Sequence, residues 1–113
     1  MLLNFLSSRL PIHGLAAYSI RSASGPIGSE CFSKSLYPNN TEEMLGKVMQ
    51  EGRDLFPADG VPANYCWTFE AHQVHVASRA DGIALALLVD NTAGIQIARI
   101  REILQGFLEM PEL

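Results

Sequence analysis

The stretch Tyr65-Cys66-Trp67-Thr68-Phe69-Glu70-Ala71-His72-Gln73-Val74-His75-Val76-Ala77-Ser78-Arg79-Ala80-Asp81-Gly82-Ile83-Ala84-Leu85-Ala86-Leu87-Leu88-Val89 decides the fold. Tyr65, Trp67 and Phe69 alternate with Cys66, Thr68 and Glu70, so an aromatic face lies opposite a more polar one, as a half-buried strand requires. Ala71-His72-Gln73 is read as a turn, after which Val74 and Val76 alternate with His75 and Ala77. Ala80-Asp81-Gly82 holds an Asp-Gly pair, the strongest short-range hairpin signal. From Ile83 to Val89 both faces are apolar, which marks a central strand covered on each side.

Outward from this meander, Ile12 to Arg21 suits a strand, and Ser22-Ala23-Ser24-Gly25-Pro26 with Gly28 supplies the turn into a return strand from Ile27 to Leu36. Pro38-Asn39-Asn40 stops the chain and starts a helix predicted from Thr41 to about Leu55, with Asn40 as cap and Glu43 three residues later, as in a capping box. Met44, Leu45, Val48, Met49, Gly52, Leu55 and Phe56 give this helix a broad apolar face. Gly46 and Gly52 each cost about 1 kcal/mol of helix propensity against Ala. Either they let another backbone approach or they are simply tolerated on the surface. Leu2, Leu3, Phe5, Leu6 and Leu10 before Pro11 predict a short leading helix. Ile97, Ile100, Ile103, Leu104, Phe107 and Leu108 predict a closing one ahead of Pro111. The expected architecture is a single α+β domain over residues 1–113, one five-stranded antiparallel sheet with three helices.

Composition narrows the function. Twelve acids against eight scattered bases give a net charge of -4 and no clustered basic footprint, so neither nucleic acid nor a membrane surface is expected as a partner. Charged residues make up 18% of the chain, below the usual quarter or so, which leaves apolar surface for a partner protein. No apolar run reaches the length of a membrane span, and the N-terminal residues lack the basic start of a signal peptide; a cytoplasmic location is expected.

Candidate chemistry is sparse. Cys31 and Cys66 form no CxxC pair and are read as ordinary strand residues in a reducing compartment, with a disulfide between them the less expected alternative. Cys66 is expected in core or interface packing. His72 and His75 stand three apart across the expected turn and His13 has no evident partner, so no metal site is read from them. No nucleophile-elbow, phosphate-loop or dinucleotide motif occurs. A non-enzyme without cofactor is expected, and what remains is surface. Tyr65, Trp67 and Phe69 belong to the first strand of the meander, which the topology places at a sheet edge, where unpaired N–H and C=O groups invite another strand. The plain alternative is that these aromatics fill the core; one strand can do both.

The element order, with Trp67-Thr68-Phe69-Glu70, Val74-His75-Val76-Ala77 and Arg79-Ala80-Asp81-Gly82-Ile83-Ala84-Leu85-Ala86-Leu87-Leu88-Val89, resembles the roadblock family, which includes the dynein light chain roadblock and bacterial regulators of gliding-motility GTPases. Gly14, the Ser24-Gly25 turn and the helix from Thr41 fall in register over essentially the whole chain. The resemblance implies a profilin-like sandwich with sheet order 2-1-5-4-3. It also implies homodimers formed through the middle helix and third strand, a surface that here would use Met44, Leu45, Val48, Met49, Gly52, Leu55, Tyr65, Trp67 and Phe69. Family members often bind small Ras-like GTPases. The expected role is therefore a homodimeric regulator or scaffold for such a GTPase or for a related signalling or motility complex. The alternatives are a small-molecule sensor or an adaptor that makes no GTPase contact.

Overall fold

Ala84 to Val89 are each no more than 2% exposed, and this wholly apolar segment is the axis of the molecule. The computed structural model describes residues 14–22, 24–32, 37–55, 63–69, 71–79, 81–90 and 97–110, with backbone alone for Pro38, Arg53, Asp54, Leu55 and Ala63. Its elements are β1 (Leu15–Ser22), β2 (Gly25–Cys31), α1 (Pro38–Leu55), β3 (Ala63–Thr68), β4 (His72–Ser78), β5 (Ala84–Asp90) and α2 (Ile97–Glu109). They form one antiparallel sheet in the order β2-β1-β5-β4-β3, as expected. β1 and β4 pair with both edges of β5, and a helix covers each of its faces, so Ala84 to Val89 are closed off from water.

Each face of the sheet is closed by one helix. Ile100, Ile103, Leu104 and Phe107 of α2 pack on Tyr18, Ile20, Ala77, Leu85, Leu87 and Val89. Leu45, Val48 and Met49 of α1 pack on Ala17, Val74, Val76, Ala84, Ala86 and Leu88. Each large side chain so buried contributes about 1.5–3 kcal/mol, which makes these two seams the main source of stability. The expectation of three helices is corrected to two among the described residues: one helix per face suffices to cover the sheet. The leading helix expected over residues 2–10 falls outside the described residues.

Local boundaries also differ from the sequence reading. α1 starts at Pro38, not Thr41, and the Thr41 N–H donates to the Tyr37 carbonyl at 3.0 Å. Proline suits the first helical position, where its missing N–H is no loss and its φ is already helical. Asn40 therefore lies inside the first turn and is not the cap. Glu43 instead pairs across one turn with Lys47 at 3.5 Å on the exposed surface.

His72, expected in a turn, is the first residue of β4, and the β3–β4 hairpin closes with the Phe69 N–H donating to the His72 carbonyl at 2.8 Å. The β4–β5 turn uses the expected Asp-Gly: Gly82 sits at φ +89°, and the Asp81 carboxylate accepts from the Ile83 N–H and from Arg79 Nε. Arg79 also donates to the Phe107 carbonyl at 2.6 Å near the end of α2, tying the hairpin to the helix.

Candidate functional site

The two outer strands of the sheet differ in how well they resist pairing. β2 reads Gly25-Pro26-Ile27-Gly28-Ser29-Glu30-Cys31, and its register against β1 shifts between Ile20 and Arg21. Proline, glycine, a charge and an irregularity are the devices by which natural edges are blunted. β3 reads Ala63-Asn64-Tyr65-Cys66-Trp67-Thr68 and has none of them.

The hydrogen-bond phase of β3 follows from its hairpin. Phe69 bonds inward to His72, and an antiparallel strand alternates, so Trp67 and Tyr65 also direct their backbone groups to β4. Asn64, Cys66 and Thr68 then turn their N–H and C=O groups to the open side, where no described strand meets them. All three are also exposed.

The side chains of β3 divide between the two faces. Tyr65 and Trp67 lie on the α1 side, half-buried, in an edge-to-face pair with ring centroids 6.5 Å apart. Trp67 Nε1 is buried and has no hydrogen-bond partner among the described residues. Gly52 explains how Tyr65 reaches α1: a methyl built on it would overlap the tyrosine hydroxyl and ring. Gly46 likewise gives room to the Arg21 guanidinium, which pairs with Glu42 at 3.1 Å. Of the two alternatives left open for these glycines, neither holds as stated: it is side chains of the sheet, not another backbone, that approach them.

On the α2 side stand Asn64, Cys66 and Thr68, with His75 and Gln73 of β4 beside them. Cys66 Sγ lies 3.8 Å from His75 Nε2, and His75 Nε2 lies 3.0 Å from Gln73 Oε1. Burial pushes the Cys66 thiol up, and burial first and the Arg101 charge second push His75 down. Both shifts favour the neutral forms, the opposite of an activated thiolate–imidazolium pair. Cys66 is exposed, so of the two expected places, core or interface, the core is excluded; the residue lies opposite the aromatic face in the strand alternation.

Of the residues expected at a partner surface, Leu45, Val48 and Met49 are buried beneath α1, and Gly52 is buried against Tyr65. Met44, Tyr65 and Trp67 are half-buried and Phe69 is 46% exposed. Leu55 is described by its backbone alone. Of the residues that carry the outward backbone groups, the sequence reading places Cys66 in core or interface packing and does not single out Asn64 or Thr68. Their signal was present in the same period-two alternation, read from its polar side.

Other features do less. His72 and His75, three apart on one strand, point to opposite faces, and His72 meets Asp90 at 3.4 Å. No group of three or more metal-ligating side chains forms among the described residues of one chain. A cleft between β2 and the start of α1, lined by Cys31, Thr41 and Glu42 among others, holds about 70 Å³. No described helix is long and apolar enough to cross a membrane.

Among the described residues, a single antiparallel sheet clad by one helix per face, with one blunted edge and one edge that no described strand pairs, defines a class of small α+β sandwich. No protein-family model and no curated protein matches the chain. Solved structures do. MglC from Myxococcus xanthus superposes with a TM-score of 0.61 at 14% identity, over 93% of this chain and 91% of that one. Myxococcus xanthus MglB gives 0.55 at 13% identity, over 93% and 86%. A Roadblock/LC7 domain from Streptomyces avermitilis gives 0.52 at 14%, over 91% and 88%. The chain thus has the roadblock fold that its strand order and turns resemble.

Proposed function

We propose that the protein is a non-catalytic homodimeric regulator or scaffold, joined to its second copy along β3 and docking a small Ras-like GTPase or a related signalling or motility complex. The observation that carries this reading is the open, uncharged, proline-free β3 edge on a roadblock fold. Pairing two such edges satisfies the outward backbone groups of Asn64, Cys66 and Thr68. It also brings together two copies of the half-buried Tyr65 and Trp67. The outer face of α1 (Glu43, Lys47, Gln50 and Glu51) is polar, so the strand rather than the helix supplies the adhesive part of the contact. The cleft between β2 and α1, about 70 Å³, falls far short of the roughly 300 Å³ and more of small-molecule sites and is not itself a sensor pocket.

Light scattering tests the dimer. The wild type is expected at about 25 kDa, twice the 12.4 kDa chain, and Asn64→Pro at half that mass with an unchanged circular dichroism spectrum. Proline is suited to this position because the lost N–H points away from β4. A monomeric wild type sinks the dimer. For the partner, the rate of GTP hydrolysis and co-elution are measured with Ras-like GTPases encoded beside the gene; no binding and no rate change removes the GTPase from the proposal.

A further inference from the structure

The Cys66–His75 pair acquires a second meaning once β3 is paired with itself. Three residues present outward backbone groups: Asn64, Cys66 and Thr68. A two-fold axis at Cys66 sets Cys66 against Cys66 of the partner subunit and Asn64 against the partner's Thr68, so every outward N–H and C=O is used, six hydrogen bonds in all by the pairing rule of antiparallel strands. An axis at Tyr65 or Trp67 sets one outward residue opposite a position outside the strand and leaves about four. The strand's own hydrogen-bond phase therefore selects Cys66 as the centre.

At that register the two Cys66 side chains leave the sheet on the same face, from α-carbons about 5.5 Å apart. Each is already beside an imidazole on its own protomer, at 3.8 Å from Sγ to Nε2. A tetrahedral zinc ion, with bonds of about 2.3 Å to sulfur and 2.0–2.1 Å to nitrogen, holds such ligands about 3.6 Å apart. One protomer offers only two ligands, and the two-fold doubles them.

We propose that the homodimer binds one zinc ion on its two-fold axis, held by Cys66 and His75 of each protomer. The inference rests on the homodimer reading above. Binding releases the two thiol protons as the two Zn–S bonds form, and each imidazole carries its remaining proton on Nδ1, which frees Nε2 from Gln73 for the metal. Two thiolates balance the charge of Zn²⁺, so Arg101, whose charge acts on His75, faces a neutral centre.

The test uses the full-length, chelator-treated protein titrated with Zn²⁺ by calorimetry and with Co²⁺ by visible absorbance, alongside light scattering. The expected result is one metal per two chains, with the visible bands of tetrahedral, thiolate-bound cobalt. Cys66→Ser is expected to abolish those bands while the protein remains dimeric, because the strand pairing is made by backbone. His75→Ala is expected to weaken zinc binding at least tenfold, and Cys31→Ser to leave it unchanged. A dimer that takes up no metal, or one whose uptake survives Cys66→Ser, overturns the zinc site and leaves the homodimer standing. A monomer overturns both.

Discussion

Tyr18 shows how a single side chain is governed by its neighbours across the sheet. It lies opposite Glu30 of β2 and 6.1 Å, ring to ring, from Phe32. Burial first, and the Glu30 charge second, push its hydroxyl above the ordinary value of 10. The neutral form is thus favoured in the native state, and the unfolded chain loses this proton first as pH rises. The group's contribution to stability is whole below about pH 10 and is lost progressively above it. An ultraviolet titration of the tyrosines is expected to show Tyr18 ionising later in the folded protein than in urea. Glu30→Gln should recover only the smaller share of that shift, and a complete return to 10 would contradict burial as the larger cause.

At the scale of elements, the docking of α1 on β3 depends on Gly52. Alanine there gains about 1 kcal/mol of helix propensity, yet its methyl has no room beside the Tyr65 ring, and overpacking typically costs about 1–3 kcal/mol. Gly52→Ala is expected to lower the urea midpoint, whereas Gly46→Ala, which meets only the mobile end of Arg21, should leave it nearly unchanged. Equal responses would show that Tyr65 does not pack on Gly52. Sequence made some of these elements plain and hid others for physical reasons. β5 was legible because two apolar faces in seven residues fit little else than a central strand. Asp81-Gly82 was legible because its turn demands the conformation Gly82 adopts. The start of α1 is hidden in the sequence because Asn40 and Glu43 match a capping box in spacing and Pro38 reads as a stop, although proline is equally at home in a first turn. For Cys66, which alternates with Tyr65 and Trp67, sequence leaves core and interface both open, because its side of the strand depends on which alternate set meets the helix. Its distance to His75 depends on β3–β4 register, which single-strand periodicity does not contain.

For the whole molecule, the contrast between β2 and β3 sets a limit on assembly. A sheet with two receptive margins would polymerise head to tail into a fibre, since each added copy would offer a fresh margin to the next. In the proposed dimer, joining two copies along β3 would consume that margin in both, and the two β2 strands left at the outside would carry Pro26, two glycines, Glu30 and a shifted register. Growth therefore ends after a single step, and scattering mass should level off at the dimer however concentrated the solution becomes. The irregular sequence of β2, which looks like a poor strand, acts as the terminator of the polymer.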